Sequence, residues 1–211
     1  MSVSDLLERD VLVINQKPKL IEMTNEYRIR DADGADIGSI RQEGQSKIKK
    51  VLRLITDVDQ FLTHRLGVYD GAGAKVMEMV RPGKILKSTL QILDAGGSER
   101  GRIVQQNVVG KKRFALQGPN GDEIGSIDAE NWRSWDFAIH DASGAEVGRI
   151  TKQWAGILRE GFTTADHYMF HVTGAPSPDL RFLMVAAAAG VDTALKQDDT
   201  GGVGFGGLDP F

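Results

Sequence analysis

The side chains in this sequence best suited to chemistry are cations that come in groups. Lys47, Lys49, Lys50 and Arg53 form one group, Arg81, Lys84 and Lys87 a second, and Lys111, Lys112 and Arg113 a third. Such groups read either as solvated loops and a helix face or as a patch for anionic lipid head groups. Each Lys or Arg near an anionic surface contributes about 1 kcal/mol, so one group binds weakly and two on one rim bind usefully. His167 and His171 are spaced as zinc ligands are on a helix, but on a strand that spacing only places them on one face. The run Asp31–Asp36 (DADGAD) looks like a calcium loop, yet Gly34 comes two positions too early for one. No nucleophile elbow, phosphate-binding loop or dinucleotide fingerprint occurs. There is no cysteine, which excludes a disulfide framework, a thiolate zinc site and a thiol nucleophile. Lys plus Arg number 26 against 29 Asp plus Glu, a net charge of −3, which argues against nucleic acid as a partner. These residues describe a binding protein with no catalytic constellation and no cofactor.

The elements that position them come from a repeat. Five segments share the pattern apolar-x-apolar-x-Asp-x-x-Gly-x-x-apolar-Gly-x-apolar: Tyr27–Ile40, Leu66–Met79, Leu90–Ile103, Phe114–Ile127 and Phe137–Ile150. The turn Gly is present in all five (Gly34, Gly73, Gly97, Gly121, Gly144), and the turn Asp in four (Asp31, Asp70, Asp94, Asp141), with Gly118 in its place in the fourth copy. Period-two apolar residues mark a half-buried strand. Asp accepts from backbone N–H groups just ahead of it, and Gly takes the positive φ of a type I turn with a bulge. Each copy is therefore an antiparallel hairpin. A second Gly (Gly38, Gly101, Gly125, Gly148, with Met77 in the remaining copy) sits inside the outgoing strand, where it signals a bulge, a bend or close approach by another part of the chain.

Five hairpins give ten strands, and Val11–Asn15 and His167–Val172 bring the number to about twelve. A sheet that long curls or closes to remove its edges, and a twelve-strand barrel is too wide for its own side chains to fill. The filler is Leu180–Leu195, apolar all round and slim at Ala186–Ala189. As a helix it spans about 24 Å, short of the roughly 30 Å of a bilayer core, and Arg181 and Asp192 interrupt it. A second amphipathic helix is expected at Ser46–Thr56, with Ile48, Val51, Leu52 and Ile55 on one face. Trp132 and Trp135 fall between hairpins and could anchor at a lipid interface, whereas Trp154 reads as core. The N-terminal residues show no basic segment followed by an apolar one, so a cytoplasmic location is expected. The expected organisation is an N-terminal segment 1–10, a barrel 11–195 with central helix 180–195, and a disordered Gly-rich tail 196–211.

The stretch Ile150–Asp166 (ITKQWAGILREGFTTAD) closely resembles the signature of the phospholipid scramblase family, through Lys152, Trp154, Gly156, Glu160, Phe162, Thr163, Ala165 and Asp166. The following strand, the Pro-containing turn at Pro176–Asp179 and the apolar C-terminal helix continue the likeness, and the hairpins extend a weaker one over most of the chain. That family, like the LURP-one-related proteins and the tubby C-terminal domain, implies a mainly β fold: a twelve-stranded antiparallel closed β-barrel of consecutive hairpins around a central hydrophobic C-terminal α-helix. It implies lipid work at the cytoplasmic face of a membrane, peripheral at the plasma membrane, with phospholipid scrambling as the family activity. The lipid-binding residues expected are Lys47, Lys49, Lys50, Arg53, Lys84, Lys87, Lys111, Lys112 and Arg113. The family's Asp-Ala-Asp calcium segment stands here as Thr164-Ala165-Asp166, leaving Asp166 as the candidate Ca2+ ligand of a degraded site, since calcium takes six to eight oxygens. The rival reading is a soluble, non-enzymatic barrel that binds a protein partner or a small apolar ligand.

Overall fold

A computed structural model describes residues 3–15, 26–43, 64–82, 89–107, 113–131, 136–151 and 167–195. A short helix α1 (Val3–Glu8) leads into twelve strands. These are β1 (Val11–Asn15), β2 (Glu26–Arg30), β3 (Asp36–Glu43), β4 (His64–Asp70), β5 (Lys75–Arg81) and β6 (Thr89–Asp94), then β7 (Glu99–Gln105), β8 (Arg113–Gln117), β9 (Glu123–Asn131), β10 (Asp136–Asp141), β11 (Glu146–Thr151) and β12 (His167–Val172). Helix α2 (Pro178–Leu195) ends the described chain. Each strand pairs antiparallel with its sequence neighbour, and β1 pairs with β12, Val13 opposite Met169, to close the barrel. Among the described strands closure leaves no unpaired edge.

The five hairpins are built alike because their turns carry the same chemistry. Asp94 Oδ1 accepts from the backbone N–H groups of Gly96 and Ser98, both at 2.9 Å, and Asp31, Asp70 and Asp141 each hold two N–H groups in the same way. The turn glycine donates back to the carbonyl of the Asp and sits at a φ between 82° and 88°. In the fourth hairpin the backbone alone makes the turn, Gly121 N–H donating to Gly118 O at 3.0 Å. All five hairpins carry a register shift just before the turn, at Ile29/Arg30, Val68/Tyr69, Ile92/Leu93, Leu116/Gln117 and Ile139/His140.

The lumen is filled by α2. Leu183, Met184 and Ala186 are fully buried among inward residues such as Ile92, Phe137, Ile139 and Phe170. The second glycine of the repeat makes room for this packing. A Cβ on Gly125 would lie 2.7 Å from Leu180 Cδ1, and one on Gly148 would lie 2.5 Å from Met184 Cε. At Gly101, φ is +152° and a Cβ would collide with the Gln117 carbonyl and Leu183. A Cβ on Gly38 would instead lie 2.6 Å from Leu6 Cδ1 of α1. Ser177 caps α2 by accepting from Leu180 N–H at 3.3 Å, with Pro178 in the first turn. Among the described residues no helix is long and apolar enough to cross a membrane.

Candidate functional site

Up-and-down connectivity sorts the chain between the two ends of the barrel. The five tight turns, at 31–35, 71–74, 95–98, 118–122 and 142–145, all lie at one end, the turn end. The strand termini at Glu43 and His64, Arg81 and Thr89, and Gln105 and Arg113 lie at the other, the connection end. The segments joining those three pairs of termini carry Lys47, Lys49, Lys50 and Arg53, then Lys84 and Lys87, then Lys111 and Lys112.

Of the expected lipid-binding residues, Lys47, Lys49, Lys50, Arg53, Lys84, Lys87, Lys111 and Lys112 lie outside the described residues, as do Asp166, Trp132, Trp135, Trp154 and the expected helix at 46–56. Arg113 is described. It opens β8 with its side chain 53% exposed, its Nη2 3.3 Å from Glu123 Oε1 and its Nε 3.7 Å from Asp128 Oδ1. Its backbone closes the β7–β8 link: Arg113 O accepts from Gln106 N–H at 2.8 Å, and Arg113 N–H donates to Asn107 Oδ1 at 2.9 Å. Gln105, 2% exposed, donates to Asn107 O at 2.9 Å and tightens the same corner.

Arg81 departs from its expected place in an exposed basic group. It is the last residue of β5 and only 6% exposed. Period two puts it on the face of Met77 and Met79, which are buried in the lumen wall. The second group therefore reduces to Lys84 and Lys87.

The turn end is acidic and closed. Its carboxylates include Asp33, Asp36, Asp122, Glu123 and Glu146 on the hairpins, and Glu8, Asp10 and Asp179 on the flanking segments. The arginines here are bound to carboxylates. Arg28 and Arg30 both reach Asp36, at 2.6 and 2.7 Å, and Arg100 reaches Asp179 at 2.5 Å while its guanidinium lies over the Phe182 ring. The hydrogen bond from Arg30, opposed by burial and reinforced by Arg28, holds the Asp36 carboxyl below the usual aspartate range. Arg181 clasps α1 to α2: it donates to Leu7 O at 2.6 Å and Glu8 O at 2.7 Å, and pairs with Asp10 at 2.9 Å.

The outer wall is likewise salt-bridged. Lys75 lies 2.9 Å from both Glu43 and Glu78, Arg65 lies 2.6 Å from Glu78, and the Tyr69 hydroxyl donates to Glu43. That hydrogen bond to an acceptor carboxylate, with burial, raises the Tyr69 phenol above its ordinary value. Burial opposes the charged forms of Lys75 and Glu78, but hydrogen bonds prevail: Glu43 and Glu78 raise Lys75, and Lys75 and Arg65 lower Glu78.

One arrangement was not anticipated from the sequence. An outward cleft of about 480 Å³ across β8–β10 is lined by Arg113, Glu123, Ser126, Asp128, His140 and Asp141. Its residue types are those of a hydrolytic triad, but the geometry is not. Ser126 Oγ and His140 Nδ1 both approach Asp128 Oδ2, at 3.4 and 3.3 Å, so the imidazole does not stand between serine and carboxylate as a general base must. The legible signals were Ser126 and Asp128 two apart on one strand face; the register placing His140 opposite Ser126 was not readable. Among the described residues no group of three His, Asp or Glu side chains is placed to hold a metal ion.

The described residues form a twelve-stranded barrel threaded by an apolar helix. A family model described as Scramblase matches residues 1–195, and the chain belongs to that family. It is similar to a phospholipid scramblase family protein of Schizosaccharomyces pombe, with 27% identity over 185 residues covering 80% of this chain and 47% of the relative. It is also similar to altered inheritance rate of mitochondria protein 25 of Saccharomyces cerevisiae, with 26% identity over 175 residues covering 70% of this chain and 52% of the relative. The chain thus spans about half the length of these curated relatives. No solved structure matches it.

Proposed function

We propose that this protein binds anionic phospholipid at the cytoplasmic face of a membrane as a peripheral barrel, with phospholipid scrambling as the activity its family membership suggests. The observation that carries the reading is topological. The strand termini joined by the segments bearing Lys47, Lys49, Lys50 and Arg53, Lys84 and Lys87, and Lys111 and Lys112 all belong to one end of the barrel. Cations delivered to one end act together on a charged surface, where their contributions of about 1 kcal/mol each accumulate. Arg113 contributes less than the lysines, because Glu123 and Asp128 already face it.

Co-sedimentation with neutral and acidic liposomes, at low and physiological salt and with and without calcium, tests the proposal. Salt-sensitive binding to acidic vesicles alone is expected. Removing two cations, as K49A/K50A or K111A/K112A, should weaken it about 30-fold, at about 1 kcal/mol per charge. Binding that requires calcium would give Asp166 the role the family signature assigns it. Absence of binding under every condition would refute the proposal and direct attention to a protein partner.

A further inference from the structure

We infer that the barrel meets an anionic bilayer end-on, with the connection end against the head groups and the turn end pointing into solution. The inference rests on the lipid-binding reading above and adds an orientation to it.

The first support is the acidic turn end. Asp33 and Asp122 are exposed there, Glu123 and Glu146 are paired with Arg113 and Arg149, and Arg30 at this end and Arg28 on the adjoining wall are spent on Asp36. That end is repelled by an anionic surface. The second is height. A seven-residue strand such as β5 rises about 3.4 Å per residue and, tilted about 40°, stands about 16–18 Å tall. The Debye length at physiological salt is about 8 Å. Standing end-on therefore puts Asp33 and Asp122 about two screening lengths from the head groups, where their repulsion is largely screened, while Arg113 offsets Glu123. Lying on its side, the barrel would bring one flank of those carboxylates into contact range. The third is the wall, where Arg65 lies on Glu78, Arg102 on Glu99 and Arg149 on Asp136. Paired charges give a flank little attraction for a charged surface. The described residues that then approach the lipid are the ends of β7 and β8, Gln106, Asn107 and Arg113. Helix α2 begins at the far end, so the Arg181 clasp faces away from the membrane.

The chain has no cysteine, so single-cysteine variants label cleanly. An environment-sensitive fluorophore is placed on Q106C at the connection end, on A72C, A95C and N120C at the turn end, and on R28C and R102C on two flanks. Acidic vesicles of phosphatidylserine in phosphatidylcholine are then added, and binding of each labelled protein is followed separately by sedimentation. The Q106C label is expected to shift to the blue, while turn-end and flank labels stay unchanged. A shift at any turn-end label, or at one flank with none at Q106C, would overturn the orientation while leaving lipid binding in place. Failure of every variant and the unlabelled chain to sediment would overturn both. Charge provides an independent check. D33N/D122N should leave the partition coefficient at physiological salt within twofold of the parent, and any larger rise would show that the turn end contacts the bilayer.

Discussion

The two ends of the barrel solve the problem of closing a strand pair in different ways. At the turn end, closure is local and repeated: one Asp, one Gly and a bulge return the chain within five residues. Long-range contacts are then laid over it, with Leu6 against Gly38, Arg181 on the carbonyls of α1, and Arg100 on Asp179. At the connection end the described residues include a corner of Gln105 and Asn107 around the backbone of Arg113. The comparison teaches where stability and function are separated. The end that fixes α2 carries the acids and the clasps. The end joined by the lysine-bearing segments is left to charge.

The sharpest way to break that comparison is to disturb the fit of α2 near the turn end. G101A places a side chain at a φ of +152° against the Gln117 carbonyl and Leu183. A loss of about 3 kcal/mol is expected in urea unfolding, combining backbone strain with overpacking. An unchanged midpoint would mean α2 does not press on the wall there. R181A comes next. It strips α1 of its clasp, and about 2 kcal/mol should be lost, as for hydrogen bonds to a charged group. A cost below about 0.5 kcal/mol would deny that α1 is locked to α2. D94A should cost about 1 kcal/mol by freeing two N–H groups of the turn. The fourth hairpin supplies the control: G118D should bring no gain, because its Cβ would already lie 3.0 Å from Asp122 Oδ1, leaving two carboxylates together. R113A, at the opposite end, should change stability by no more than about 0.5 kcal/mol, since the pairs it makes are exposed. A larger loss would mean that the connection end is clamped as firmly as the turn end.

The smallest effect is a dependence on pH. Asp36 has its folded-state pKa lowered by Arg30 and Arg28, so the unfolded chain binds its proton first as pH falls. Its stabilising contribution is present above the ordinary aspartate pKa and disappears as pH drops through the depressed one. D36N should therefore flatten the acid limb of a stability–pH curve and leave the neutral region nearly parallel to the parent. A steeper acid limb in D36N would reverse the assignment.

Much of this architecture was legible in the sequence because it is written locally. The Asp and Gly of each turn lie three residues apart, and the alternation that makes a strand is read within six. Val11–Asn15 and His167–Val172 stood out for the same reason and are β1 and β12. The long apolar stretch from Leu180 identified α2, though Pro178 and Asp179 belong to it as well. What escaped depends on register. Arg81 looked like a member of a cationic loop, and only the pairing of β5 shows that it follows Met77 and Met79 inward. The cluster of Ser126, Asp128 and His140 exists because a bulge sets β9 against β10 in one register rather than the next. Arg181 stood in the apolar run as an interruption, and its purpose lies with α1 at the far end of the chain.

Closure of β1 on β12 also has a consequence in time. The five hairpins can each form as soon as they are made, but the seam joins Val13 to Met169, and the helix that fills the lumen is synthesised after every strand. At about 5–20 residues per second, a ribosome leaves the first hairpin waiting roughly 8–30 s for its core to arrive. During that interval the inward faces of up to twelve strands lack the helix they pack on, and until β12 is made the sheet has open edges. The nascent chain is thus most vulnerable to misassembly just before its last helix emerges, and slow, high-contact-order folding follows from the architecture itself.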